Sequence, residues 1–268
     1  MERISDYNVY TDGMRKSMAD KSWFIDKIDG VSSIVDYGCA DGALLQYIDE
    51  AFPNVFKLAG IDIDDKMLSQ AKINVPIAIT LRPDAFINFS SFDKEDACLN
   101  CGSVIHEVYS YGTEESIADF WDFVFNQNFK YIAIRDMAMS KIDEQKRRKK
   151  IESVLNAISV RNEKEGLNEE VRFKDFWQVN ELDSRDAQWR DIVHYLLKYR
   201  YVANWSREVR ENYLPLFVEE VLLKIPSDKY IVRHFEHYTL SFIKDQVYED
   251  FGIDFNTKTH YKLLLERI

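Results

Sequence analysis

A loop bounded by glycines, between a predicted strand and a predicted helix, constrains the fold of this chain more than any other segment. Residues 33–37 (SIVDY) have the apolar character of a short buried strand, and residues 43–48 (ALLQYI) have the spacing of a helix. The loop reads GCADG over residues 38–42, and Asp36 precedes it. Such glycines let the backbone approach a ligand, and the helix N-terminus offers unpaired N–H groups. A carboxylate at Asp36 would crowd a pyrophosphate and suits a positively charged ligand instead.

Predicted strands and helices alternate along the first half of the chain. Further strands are expected at residues 57–62, 77–81, 96–101 and 131–136, and helices at residues 13–28, from residue 66 and at residues 116–125. Such alternation indicates βαβ units and a parallel sheet with right-handed crossovers. The expected fold class is therefore α/β, a mostly parallel, doubly wound sheet with helices on both faces.

The pattern changes after the fifth predicted strand. The following segment lacks convincing strands and carries apolar-periodic stretches at residues 192–197 and 217–223, which predicts a helical insertion. A helix near residues 240–251 and a closing strand at residues 261–265 follow. We therefore expect three parts, which are a core over residues 1–139, a helical insertion or lid over residues 140–228, and a return to the core over residues 229–268.

The glycine loop and several later segments resemble the class I S-adenosylmethionine-dependent methyltransferases. Asp-x-Gly-x-x-x-Gly at residues 36–42 resembles motif I of that family. Asp62, 20 residues after Gly42, resembles the acid that ends the family's second strand, at the distance that a βαβ unit requires. Asp84-Ala85 resembles the pair near the adenine amino group, and residues 103–108 (SVIHEV) resemble the segment beside the methionine end of the cofactor. The resemblance covers residues 14–136 well and the closing strand weakly, and it names no substrate.

The resemblance implies a Rossmann-like core with a seven-stranded-type sheet and S-adenosyl-L-methionine as the cofactor. It implies that the methionine pocket is shaped by the motif I residues, that Asp62 binds the ribose hydroxyls and that Ile63 lies against the adenine. The expected cofactor-binding set is Asp36, Gly38, Cys39, Gly42, Asp62, Ile63, Asp84, Ala85 and Cys101. The family often has a glycine where Cys39 or Ala40 stands, so the approach of the backbone is expected to be looser here.

Two residues are candidates for catalysis at the carboxyl edge of the sheet. His106 follows the fourth strand, and its ordinary pKa near neutrality suits a general base. The alternative is a packed loop in which His106 bonds to the backbone, because many members of the family act mainly by proximity and orientation. Asp136, at the end of the fifth strand, is the second candidate base. The interpretation favoured for Arg135 and Asp136 is a structural one, in which they pair with the insertion.

No metal site is expected from the sequence. Cys98 and Cys101 lie within a predicted strand, where residues three apart point to opposite faces, and no second cysteine pair exists. His234 and His237 would share a face if their segment were a helix, but no third ligand is apparent. We favour a surface or acceptor-binding role for these histidines.

The charge of the chain bears on its partners. The net charge of −11 disfavours nucleic acid, so a small-molecule acceptor with an O or N nucleophile, bound under the insertion, is the main prediction. The basic run at residues 146–150 (KRRKK) and the aromatic residues of the insertion keep an RNA or tRNA methyltransferase as an alternative. The slightly basic insertion would favour an acidic or phosphate-bearing acceptor. A non-catalytic, partner-binding protein with a methyltransferase-like core is a second alternative.

Three features bear on the compartment. The three cysteines are an odd and low number, which fits a reducing cytoplasm better than a disulfide framework. The first residues (MERISD) lack the apolar segment of a signal peptide. No uncharged apolar run approaches the roughly 20 residues that span a bilayer. A cytoplasmic protein with no membrane partner is expected.

Overall fold

A computed structural model describes residues 18–89, 92–147, 150–164, 169–182, 187–201 and 204–268. The beginning of the helix predicted at residues 13–28 and two positions of the basic run, 148 and 149, lie outside the described residues. Helix α1 (Met18–Lys21) ends early, and a 3-10 turn follows at Ile25–Lys27. The prediction of a helix through residue 28 is therefore wrong. The turn buries the consecutive side chains of Phe24 and Ile25 together.

Seven strands form one sheet. They are β1 (Ser33–Tyr37), β2 (Lys57–Ile61), β3 (Ile79–Leu81), β4 (Ala97–Gly102), β5 (Tyr131–Met137), β6 (Tyr230–Tyr238) and β7 (His260–Arg267). Their order is β3-β2-β1-β4-β5-β7-β6. The first five strands are parallel, and β7 runs antiparallel between β5 and β6. The chain therefore has the mostly parallel, doubly wound sheet that the sequence predicts.

Helices connect the parallel strands and cover both faces of the sheet. They are α2 (Ala43–Ala51), α3 (Asp65–Asn74), α4 (Pro83–Ile87), α5 (Ile105–Tyr111) and α6 (Glu114–Asn126). Asp64 caps α3, because its carboxylate accepts the backbone N–H of Lys66 at 2.8 Å. Side chains on the two faces of β4 belong to separate hydrophobic clusters, with Cys98 in one and Cys101 in the other. The prediction that these two cysteines point to opposite faces is confirmed.

The segment after β5 is helical. It contains α7 (Lys141–Arg147), α8 (Ile151–Lys164), α9 (Glu169–Val179), α10 (Trp189–Lys198), α11 (Trp205–Glu208) and α12 (Val218–Leu223). Among the described residues of this segment the only β pairing is an isolated bridge between Met139 and Phe217. Trp189, Tyr195 and Tyr199 are buried in a separate hydrophobic cluster, which also contains side chains of α13 (Ser241–Phe251). Much of the aromatic content of the insertion therefore forms its own core.

The two histidines near the end of the chain lie on a strand, which corrects the expectation of a shared helix face. β6 is the edge strand, and a bulge interrupts its pairing between Val232 and His234. His234 and His237 pair with β7 residues three apart, so their side chains point to opposite faces. The ring of His234 lies 5.3 Å from that of Trp23, whereas His237 Nε2 lies 3.0 Å from the Ala138 carbonyl.

Candidate active site

The carboxyl ends of the parallel strands open into a cavity of about 1360 Å³. We describe its lining as two groups of side chains. We call the first group the sheet side, and its polar members include Asp20, Lys21, Asp36, Asp62, Ser103 and Arg135. We call the second group the insertion side, and it combines Glu107 and Tyr111 of α5 with insertion residues that include Arg207, Glu208, Glu211 and Tyr213. His106 also lines the cavity and contacts the insertion side.

The glycine loop wraps over the end of β2. The backbone N–H groups of Gly38 and Cys39 donate to the carbonyl of Ile61 at 2.8 and 3.0 Å. Gly38 has a φ of +77°, and a Cβ on it would lie 2.8 Å from Val104 Cγ2. Ala40 also has a positive φ, of +46°. A left-handed backbone and a close approach by Val104 therefore both require glycine at position 38.

Cys39 fits in the loop because a glycine faces it on the neighbouring strand. A Cβ built on Gly60 would lie 2.7 Å from Cys39 Sγ, so a larger residue there would displace the thiol. Cys39 is buried, and this burial raises the pKa of its thiol well above the ordinary value. The side chain is a neutral thiol that fills space between the loop and β2.

Asp36 presents a buried carboxyl group to the sheet side of the cavity. It is 4% exposed, and Asn100 Nδ2 donates to its Oδ1 at 2.7 Å. Burial raises the pKa of Asp36 to about 6, even though the Asn100 hydrogen bond and the charge of Lys21 both favour ionisation. Asn100 and Lys21 offset only part of the cost of burying this negative charge, so the carboxylate suits a cationic ligand. The sequence analysis missed Asn100, which is the register partner of Asp36 on β4.

Asp62 follows β2 and is held by backbone groups on two sides. Its Oδ2 accepts the N–H of Ala40 and its Oδ1 accepts that of Asp64, both at 2.9 Å. A carboxylate has about four acceptor sites, so capacity remains for hydroxyl donors from the cavity. Ile63, which is 50% exposed, offers an apolar surface in the same cavity. Asp36, Gly38, Cys39, Asp62 and Ile63 are thus brought together as predicted.

Four of the predicted cofactor-binding residues do not line this cavity. Asp84 and Ala85 are exposed in the first turn of α4, and Pro83 is the residue of that segment in the lining. Cys101 is fully buried because its strand position directs it into the hydrophobic cluster. Gly42 is the N-cap residue of α2 and packs against α3 instead.

Helix α1 borders the sheet side of the cavity. Asp20 Oδ2 lies 2.8 Å from Arg135 Nη2, and Asp20 Oδ1 lies 2.7 Å from Lys262 Nζ. The expectation that Arg135 pairs with the insertion is wrong, because Arg135 forms its ion pair with Asp20 of α1. Lys21 lines the cavity next to this ion pair, and burial lowers the pKa of its ammonium group. Lys21 is a cavity residue that the sequence analysis did not identify.

His106 is held between two carboxylates. Its Nδ1–H donates to Asp136 Oδ1 at 2.6 Å, and its Nε2–H donates to Glu211 Oε1 at 3.1 Å. Two acceptors require two ring hydrogens, so the side chain is an imidazolium. Burial opposes this charge, but Asp136 and Glu211 outweigh it and raise the pKa of His106 to about 10. The expected proton-accepting role is unavailable to His106 while Glu211 is in place.

Asp136 positions other groups and does not line the cavity. Its carboxylate also accepts the backbone N–H groups of Ile105 and Met137, each at 2.7 Å. Burial alone would raise the pKa of Asp136, but His106 and these N–H groups lower it below its ordinary value. Asp136 was expected to contact the insertion or act as a base. It instead fixes His106, which in turn contacts the insertion.

A buried ionic network extends from His106 into the insertion. Arg207 Nη2 lies 3.2 Å from Glu107 Oε1, and its Nη1 lies 3.2 Å from Glu211 Oε2. Lys198 Nζ donates to the carbonyls of Glu208, at 2.6 Å, and of Glu211. The sequence analysis identified none of the insertion residues of this network, because nothing local in the sequence indicates which of them meet α5.

Comparisons with known proteins identify the fold. No family model and no curated protein matches the chain. A S-adenosylmethionine-dependent methyltransferase from Anabaena variabilis aligns with 95% of this chain and 85% of its own, at 11% identity and a TM-score of 0.51. Another from Archaeoglobus fulgidus aligns with 97% of this chain and 100% of its own, at 12% identity and a TM-score of 0.51. The chain therefore has the fold of the class I S-adenosylmethionine-dependent methyltransferases. No helix in the described part of the chain is long and apolar enough to span a membrane.

Proposed function

We propose that this protein is a S-adenosylmethionine-dependent methyltransferase that acts on an O or N nucleophile of a small-molecule acceptor. The observation that carries the proposal is the convergence of Asp36 and Asp62 on one cavity at the carboxyl edge of the sheet. Ligands of open α/β sheets bind at that edge. The fold is consistent with this assignment.

The sheet side fits the cofactor group by group. The incompletely compensated carboxylate of Asp36 suits the ammonium and sulfonium charges, and Asp62 has acceptor capacity for the ribose hydroxyls. Ile63 provides an apolar surface for the adenine. The ammonium group of Lys21 lines the same cavity and suits the carboxylate of the cofactor. We propose these four side chains as the main cofactor contacts.

Bound S-adenosylmethionine supplies a methyl group on a positively charged sulfur. The protein orients the acceptor and keeps water away from the transfer, and this positioning is a large source of rate enhancement. Asp136 fixes the ring of His106 through Nδ1, so Nε2 faces the insertion side. We propose that His106 is a hydrogen-bond donor that positions the carboxylate of Glu211 at the cavity wall.

We further propose that the helical insertion over residues 140–228 supplies the acceptor pocket, and that the core and the returning segment supply the cofactor pocket. Residues from α10 and α11 and the segments that follow them line the same cavity as the glycine loop. A lid of this kind excludes water from the site. The cavity of about 1360 Å³ has room for the cofactor together with a small acceptor.

The two alternatives are less well supported. A nucleic-acid acceptor conflicts with the net charge of −11 and with the glutamates on the insertion side. A non-catalytic protein would have no need of the polar groups that converge on the cavity. Gel shifts with RNA at low and high salt test the first alternative, and detection of methyl transfer tests the second.

Calorimetric titration of the protein with S-adenosylmethionine and S-adenosylhomocysteine tests the proposed function. Saturable binding of both ligands, at one site per chain, is the expected result. No heat of binding with millimolar ligand would reject the proposal. Release of S-adenosylhomocysteine in the presence of a set of small amines, phenols and carboxylic acids then tests catalysis, with protein lacking any acceptor as the blank.

A further inference from the structure

The insertion side of the cavity is rich in carboxylates. Glu107 lies on α5, Glu208 ends α11 and Glu211 follows it, and all three line the cavity. Glu208 and Glu211 are 7% and 2% exposed. Glutamates are rarely buried unless a cation or hydrogen-bond donors compensate them. The groups that compensate these three therefore indicate what the pocket is built to hold.

Burial is only partly offset at two of these glutamates. Arg207 pairs with Glu107 at 3.2 Å, and the hydroxyl of Tyr213 donates to Glu208 Oε2. Burial and the charge of Glu211 nevertheless raise the pKa of both Glu107 and Glu208. Burial also lowers the pKa of the Lys198 ammonium group, which donates to the backbone carbonyls of Glu208 and Glu211. A further cation beside Glu107 and Glu208 would therefore stabilise their ionised forms.

The walls of the same pocket already bind cations of the protein. The guanidinium of Arg207 bridges Glu107 and Glu211, and its Cζ lies 5.5 Å from the centre of the Tyr111 ring. Lys198 Nζ lies 4.4 Å from the centre of the Tyr213 ring. Carboxylates combined with aromatic faces form a strong environment for guanidinium and ammonium groups. The chemistry that would recognise a cationic ligand is therefore present at the cavity wall.

We infer that the methyl acceptor carries a basic nitrogen, an amine or a guanidine, which binds in its protonated form against Glu107 and Glu208. This inference rests on the proposed function and names the class of its acceptor. It reverses the expectation from the sequence of an acidic or phosphate-bearing acceptor. That expectation followed from the total charge of the insertion. The residues of the insertion that line the cavity include glutamates, so the local charge differs from the total.

A divalent cation is the competing occupant of this pocket. Ligand atoms of His106, Glu107 and Glu211 lie within 4.8 Å of one another. Arg207, however, bonds to both of these glutamates, and His106 Nε2 carries a hydrogen that points to Glu211. A metal would have to displace the guanidinium and remove that proton. An organic cation needs neither change.

Small cations used as probes test the inference in protein saturated with S-adenosylhomocysteine. The probes are butylammonium and butylguanidinium, and the matched controls are butanol, butyrate and butyl phosphate. We expect the two cations to bind at least about tenfold more tightly than any control, because a charge-assisted hydrogen bond is worth about 1.5–3 kcal/mol. Equal binding of cations and controls, or tighter binding of the anions, would overturn the inference.

Variants that remove one carboxylate charge show where the organic cations bind. Glu107→Gln is expected to weaken butylguanidinium binding by about tenfold and to leave S-adenosylhomocysteine affinity within about twofold. Glu115→Gln, an exposed residue of α6, is the matched control and should change neither affinity. Glu208→Gln serves as a second variant if Glu107→Gln does not fold. Unchanged butylguanidinium binding in the folded variants would overturn the inference.

Two further results separate the possible failures. MnCl2 or MgCl2 that stabilises the wild type but not Glu107→Gln, without any effect of the organic cations, would replace the inference with a metal site. Absent binding of S-adenosylhomocysteine would reject the proposed function itself. Normal binding of S-adenosylhomocysteine without binding of the cations rejects only the acceptor class.

Discussion

His106 Nε2 lies 3.1 Å from Glu211 Oε1, and this contact joins the core to the helical insertion. Asp136 holds the other ring nitrogen at 2.6 Å. The ring is thus a charged bridge between the end of β5 and the cavity wall. Because Glu211 also binds Arg207, the position of the insertion and the protonation of His106 depend on each other.

Replacing Glu211 should make the imidazolium easier to deprotonate. Glu211→Gln removes one of the two carboxylates that stabilise the charge, so the pKa of His106 should fall from about 10 by about one to two pH units. Titration of the His106 ring resonances by NMR measures the change. Glu115→Gln is the control of equal charge. An unchanged titration would mean that Asp136 alone sets the pKa of His106.

The same contact should make stability depend on pH in a defined direction. The pKa of His106 is raised from about 6.5 in the unfolded chain to about 10 in the folded protein. Its contribution is therefore fully present below about pH 6.5 and is lost as the pH rises through 10. Glu211→Gln should cost about 3 kcal/mol near neutral pH, because it leaves buried cations without their partner.

Urea unfolding of wild type and Glu211→Gln at several pH values measures this dependence. The difference in free energy of unfolding between the two proteins should shrink between pH 8 and about pH 10.5. A difference that stays constant over this range would show that the loss of stability comes from packing and is independent of the charge of His106.

Much of the fold was predictable because its signals are local. The apolar runs at β1, β2, β4 and β5 are short and alternate with helices, and that order alone dictates parallel pairing. Asp36 lies near the carboxyl end of β1 and Asp62 follows the neighbouring parallel strand β2, so the topology brings them to one edge. The meeting of these two carboxylates at one edge of the sheet could therefore be predicted from the sequence.

The features that the sequence did not predict depend on contacts between residues that are far apart in the chain. β6 is an edge strand whose side chains are largely exposed, and its charged and histidine residues conceal the alternation that marks a half-buried strand. Glu211 reaches His106, and Arg207 reaches Glu107, only because the insertion packs over the sheet. No pattern within residues 198–213 encodes that packing. The insertion side of the cavity could not be derived from the sequence for this reason.

Removal of the Asp62 carboxylate should weaken cofactor binding. Asp62→Ala deletes the acceptor that we assign to the ribose hydroxyls, and the expected loss is tenfold or more in affinity for S-adenosylmethionine, since such a group is worth about 1.5–3 kcal/mol. Asp65→Ala is the matched control, because the side chain of Asp65 is 82% exposed. Calorimetry measures both. Equal affinities for Asp62→Ala and wild type would show that Asp62 does not contact the ribose.

Cofactor affinity should fall in mild acid. Burial raises the pKa of Asp36 to about 6, so this group becomes neutral as the pH falls through that value. Loss of the negative charge removes its attraction for a sulfonium or ammonium, and affinity should fall by up to about tenfold per pH unit below 6. Calorimetry between pH 5 and pH 7.5 measures the dependence. Asp36→Asn should bind weakly at every pH, and a flat profile in the wild type would contradict the assignment of Asp36.

The glycine loop should tolerate no side chain at position 38. Gly38→Ala combines a left-handed backbone with a Cβ 2.8 Å from Val104 Cγ2, whereas Gly252→Ala has a φ of +65° and nothing within 4 Å of its Cβ. Gly252→Ala should cost about 1–2 kcal/mol from the backbone conformation alone. Gly38→Ala should lower the free energy of unfolding by measurably more than Gly252→Ala does. It should also reduce S-adenosylmethionine affinity, because the loop and Val104 must separate.

A double variant isolates the steric part of that cost. Val104→Ala removes Cγ2, so Gly38→Ala should be less damaging in the Val104→Ala background than in the wild type. The double-mutant cycle, measured by urea unfolding, should give a favourable coupling energy of about 1 kcal/mol, within the range found for residues in contact. Zero coupling would mean that the loop moves away from Val104 at no cost, and that backbone conformation alone requires glycine at position 38.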